Sequence, residues 1–226
     1  MKISKGSVLK AGILTAVTGL VLGMSGLSAM AQTNNQNVMP SPMTDRTAAN
    51  ELRVMLNAAD REHTNLIIPT AREAYDDFGG KHFQGSAHSL DINSNGIADA
   101  IGSLYGADAR TAFLQIWRNH IDQINRYSVA QKHNDQAGMA NAKRDLEQYT
   151  NDIADLLSSA NPNLPRAAVK QLFVDHVSFL TKAVDQHAAG QNKESFATQH
   201  SADMQAGQIA DALSTAVVKQ FPDKFK

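Results

Sequence analysis

From Thr47 onward apolar residues recur at intervals of three and four, and helix-breaking residues are gathered into a few short gaps. That periodicity predicts a succession of amphipathic helices. The first spans about 47–78, with Leu52, Met55, Leu56, Ala59, Leu66 and Ile67 on one face and Gly79 and Gly80 as its stop. Pro69 lies inside it, where a missing N–H is expected to kink or restart the helix. A shorter segment follows at about 89–105, then longer ones at about 108–133, 135–159, 166–188 and 193–220. Pro165 suits the entrance of the fifth. The last has Phe196, Met204, Leu213 and Val217 as its expected seam. Short connections favour antiparallel neighbours. The predicted fold is therefore all-α: an antiparallel bundle of about six helices, four long core helices plus shorter ones, in one domain over 47–226.

The first 46 residues break this pattern. Lys2, Lys5 and Lys10 precede an apolar run, and "AMA" closes it before Gln32, the layout of a cleaved secretory signal over 1–31. Residues 32–46 are polar, hold two prolines and lack periodicity, as a flexible leader does. The expected compartment is periplasmic or secreted, with no stable membrane anchor after signal cleavage. The whole chain has 21 Lys and Arg against 22 Asp and Glu, and loss of the three signal lysines leaves a mildly acidic protein. Such a balance carries no footprint for nucleic acid. Absence of cysteine excludes thiolate metal sites and thiol nucleophiles.

Chemistry enters through histidine. Of eight in the chain, His82, His88, His133 and His187 fall at predicted helix ends or breaks, where solvated or capping roles suffice. His63, His120, His176 and His200 fall on four different long segments, each on the expected core-facing seam. In "FLQIWRNHIDQI" His120 interrupts a face made by Phe113, Ile116, Trp117, Ile124 and Tyr127. A seam takes about two of every seven helical positions, so about two of eight histidines should fall there by chance. Facing helices of a bundle can bring such side chains to one point, and neutral imidazole is the commonest metal ligand. The expected site is His63, His120, His176 and His200, with Asp60, Gln123, Asp203 and Met204 as possible auxiliaries at one-turn spacing. The ligand chemistry fits a zinc, copper or iron ion; the His200–Met204 pair has the softness copper prefers. Noncovalent haem between two histidines is a further option. Two other readings stand beside it: hydrogen-bonded structural histidines in an envelope interaction protein, and acid/base catalysis. Binding or storage is expected over catalysis, since no well-placed Glu base is visible, and no catalytic residue is assigned.

Two weaker patterns remain. "DINSNG" followed by Asp99 resembles the opening of a calcium loop, with Asp91, Asn93, Asn95 and Asp99 at ligand positions, but Gly102 stands where the bidentate Glu belongs. A helix start with Asn and Ser as caps is the competing expectation. "EHTNLIIPTAREA" from Glu62 echoes "DHVSFLTKAVDQH" from Asp175, with acid, His and bulky apolar residues at equal offsets. Either a duplication or two similar core helices would produce that echo.

In order along the chain, "NSNGIADAIGSLYG", "LQIWRNHI", "NPNLP", "FVDHVSFLTKAV" and "QFPDKF" together resemble a family of uncharacterised, exported bacterial helical proteins. The resemblance implies an all-α fold with histidines on several helices, here His120 and His176 and by extension His63 and His200. It implies no activity.

Overall fold

The computed structural model describes residues 47–225; the signal and leader segments expected over 1–46 lie outside the described residues. Six α-helices follow one another: α1 (Ala48–Asp77), α2 (Lys81–Tyr105), α3 (Ala107–Lys132), α4 (Gln136–Ala160), α5 (Arg166–Ala188) and α6 (Asn192–Gln220), with a 3₁₀ turn at Pro222–Lys224. The all-α bundle is as expected, and most helix ends fall within a residue or two of expectation. α2 is the exception, beginning eight residues early and running unbroken through the segment read as a calcium loop. Pro69 sits within a continuous α1.

Local chemistry sets the ends. Thr47 caps α1 by accepting from the Asn50 amide at 3.2 Å, and Asp135 caps α4 through the Gly138 amide at 2.9 Å, each satisfying an otherwise orphaned donor. The tightest connection is one residue, Gly106, at φ 93° and ψ 172°. A Cβ is strongly disfavoured there, so glycine is what lets α2 reverse directly into α3.

Packing follows a simple rule. α1, α3 and α5 touch one another at the centre, and α2, α4 and α6 each pack against two of these inner helices, α6 closing the ring onto α1. Because consecutive helices reverse through short turns, the three inner helices share one direction.

This arrangement exposes a repetition along the chain that extends the echo of α1 in α5 to a third member. His63, His120 and His176 lie on the three inner helices, 57 residues apart for the first pair and almost the same for the second. Seven residues before each stand Leu56, Phe113 and Val169; three before, Asp60, Trp117 and Phe173; four after, Ile67, Ile124 and Leu180; seven after, Thr70, Tyr127 and Ala183. All twelve are buried. At 3.6 residues per turn these offsets trace one helical face, so the core is built of matching layers, with the histidines in the middle one.

Candidate metal centre

His63, His120 and His176 meet at the centre of the bundle, each at most 2 % exposed. One ring nitrogen from each lies within 4.8 Å of the others. The Nε2 atoms of His63 and His120 are 3.2 Å apart. Two ligands on a tetrahedral ion bound at about 2.0–2.1 Å would stand roughly 3.3 Å apart, so this edge already has the dimension of a coordination shell. Trp117 packs against both rings, with centroids 4.6 Å from His63 and 4.8 Å from His120. Tyr149 stacks on His120 at 4.5 Å.

The outer helices hold the rings from behind, in a repeated way. Asn93 on α2 donates from its amide nitrogen to the carbonyl of Ala59 at 3.0 Å, and Gln205 on α6 donates to the carbonyl of Leu172 at 2.8 Å. Each acceptor lies four residues before a histidine, so each carboxamide is pinned one turn away from an imidazole. Contacts of Asn93 with His63 and of Gln205 with His176 favour the protonated ring, though neither reaches regular hydrogen-bond geometry. On α4 the corresponding position is Tyr149, at equal sequence intervals from both amides. His120 is supported instead by the backbone of Trp117. Amide and carbonyl oxygens behind a histidine are the partners that orient metal-binding imidazoles.

Burial keeps the cluster neutral. Loss of hydration pushes the pKa values of His63 and His120 well below the ordinary imidazole range, and the mutual repulsion of the rings adds to it. Desolvation likewise lowers His176 to about 4. At neutral pH the cluster is three uncharged imidazoles, each with one basic nitrogen to offer and one ring nitrogen close to those of the other two. Both ring nitrogens of His176, the Nδ1 atoms of His63 and His120, and the carboxamide oxygens of Asn93 and Gln205 are buried without a hydrogen-bond partner. A buried polar atom left unpaired costs about 1–3 kcal/mol, and this many in one layer of the core is the arrangement a bound ligand would relieve.

A carboxyl group lies close by. Asp60, one turn before His63 on α1, is buried, and its Oδ2 has no partner. Desolvation raises its pKa to about 7. Its charge acts on Tyr149, whose hydroxyl is also buried and unpaired and whose pKa is pushed well above 10, chiefly by burial.

The other expected ligands stand elsewhere. His200 is on the exposed side of α6, outside the cluster of three. The expected seam of α6 followed its bulky residues, but Phe196 and Met204 are 63 % and 55 % exposed. Val217 is buried and Leu213 packs beside it as expected, but over the first half of the helix the buried stripe runs through Ser195, Thr198, Ala202, Ala206 and Ala210, small side chains that let α6 lie close to α1 and α5. Asp203 forms an ion pair with Arg61 and accepts from Asn65 at 2.9 Å. Gln123 donates to Asn119 at 3.3 Å on its own helix. The calcium-loop reading is corrected outright: within one continuous helix, Asp91 pairs with Arg118 at 2.7 Å, Asp99 pairs with Arg110 at 2.6 Å, and Asn95 donates back to the Asp91 carbonyl at 2.8 Å. A helix cannot wrap the twelve-residue loop that calcium needs.

Sequence reasoning had no local signal for Tyr149 or Gln205, since neither belongs to a motif. Only their distance from the histidines along the repeat marks them. Comparison of the chain with protein-family models, curated proteins and solved structures returns no match, so the meaning of the site rests on its own chemistry.

Proposed function

We propose that this is an exported protein that binds a single transition-metal ion through His63, His120 and His176, for binding or storage. The observation that carries the reading is His176, buried with both ring nitrogens unpaired beside two neutral imidazoles that share its layer. Neutral nitrogen donors suit zinc, copper or iron. Ring centroids 5.2–6.2 Å apart leave space for an ion and none for a porphyrin between the rings, which favours an ion over haem. Asp60, whose pKa burial raises to about 7, would lose its proton beside a bound cation and supply the negative charge that three uncharged ligands lack. Sealing by Trp117, Tyr149 and the Ile67–Ile124–Leu180 layer favours retention over turnover.

The test is metal analysis of protein purified from its own compartment, followed by thermal melts of the stripped protein with copper, zinc or iron added. A ligand at 100 times its dissociation constant stabilises by about 2.7 kcal/mol, and that stabilisation should vanish in His120→Ala. A second reading is favoured by one contact: the 3.2 Å approach of His63 and His120 also serves as a plain core hydrogen bond in a structural protein. Melts unmoved by any of the three metals would select it.

A further inference from the structure

His200 and Met204, four residues apart on α6, line a groove between α5 and α6 together with Asp175, Phe179 and Gln205. The groove encloses ≈ 490 Å³, enough for a hydrated ion or a small copper chelate. Its outer rim is soft and open: His200 is exposed and Met204 is 55 % exposed. Its floor is Gln205, 6 % exposed, the side chain that contacts His176 on the inner side. Gln205 is thus shared by the groove and the histidine cluster. Gln205 is anchored there by a single hydrogen bond, to Leu172, and its oxygen is unpartnered.

We propose that this groove is the loading port of the buried site, and that copper is the ion it admits. His200 and Met204 capture the ion at the surface, Gln205 swings aside, and His176 receives it. The imidazole–thioether pair selects copper over the harder divalent ions, and Asp175 on the opposite wall adds negative charge at the mouth. This inference rests on the three-histidine reading, and its test separates the two.

Trp117 is the only tryptophan and touches two of the three rings, so copper(II) arriving in the cluster should quench its fluorescence. Copper(II) is mixed rapidly with metal-free wild-type protein, with His200→Ala/Met204→Leu, and with His88→Ala as a control for an exposed histidine elsewhere. The double variant should reach the wild-type endpoint with a rate constant several-fold lower. His88→Ala should load as wild type. Equal rates for wild type and the double variant overturn the port. An endpoint that falls with the rate overturns it too, since His200 and Met204 would then belong to the equilibrium site. No quenching in wild type overturns the three-histidine reading itself.

Discussion

Asn93 and Gln205 occupy the same place in two different hairpins, each tied by its amide nitrogen to a carbonyl four residues before a histidine. If they orient His63 and His176 for a metal, Asn93→Leu and Gln205→Leu should each weaken binding by about 10–100-fold in competition against a chromophoric chelator. Asn151→Leu, a half-buried amide of α4 that donates to its own helix, should leave it unchanged. The histidines also set a pH dependence in metal-free protein. Their folded pKa values are depressed, His176 to about 4, while unfolded imidazoles titrate near ~6.5. Between those values the unfolded chain takes protons that the folded core refuses, so stability is full above ~6.5 and is lost as pH falls. Asp60 works the other way: its folded pKa is raised to about 7, so its share is greatest at low pH and fades as pH rises from ~4. Three groups oppose one. The urea midpoint should therefore rise from pH ~5 to ~6.5, and His176→Leu should flatten the rise; a midpoint falling over that window would contradict the neutral buried cluster. The three clustered histidines were legible in the sequence because a polar ring on an apolar face stands out. Their amide partners were not, because an Asn or Gln facing inward looks the same as one facing water until a neighbouring helix is in place.

At the scale of the element, the helix ends were readable from glycine, proline and capping residues, whereas the inward face of α6 was not. Its bulky residues misled: Phe196 lies on the surface beneath the Arg72 guanidinium, 4.4 Å from the ring centre, while alanines form the contact. Hydrophobic size predicts burial only where helices stand far enough apart to need filling. Ala206, 1 % exposed, has no room to grow, and Ala206→Leu should destabilise the protein by about 1–3 kcal/mol through overpacking. Phe196→Ala, the larger change in volume, should cost under about 1 kcal/mol. Urea denaturation of both variants checks the order, and a reversed ranking would mean that Phe196 is covered in the protein in solution.

For the molecule as a whole, the unit is the hairpin of one inner and one outer helix, used three times. The sequence showed an echo between two members, because α1 and α5 both keep an acid before the histidine and aliphatic residues after it. α3 hides the third behind Asn119, Asp122 and Tyr127, and only matching burial reveals it. The ring has a further consequence, for connectivity. α6 meets α1 much as α2 meets α3, and Leu52, Val217, Phe221 and Phe225 share one apolar cluster, which brings the two ends of the bundle together. The covalent gap then lies at one of several interchangeable corners. Opening the α4–α5 connection between Pro162 and Asn163 and joining Phe225 to Thr47 with a short flexible linker should give a circular permutant with the same helical content and the same histidine layer. Circular dichroism and metal-dependent melting would show it, and loss of both would mean that the α6–α1 corner is not equivalent to the others.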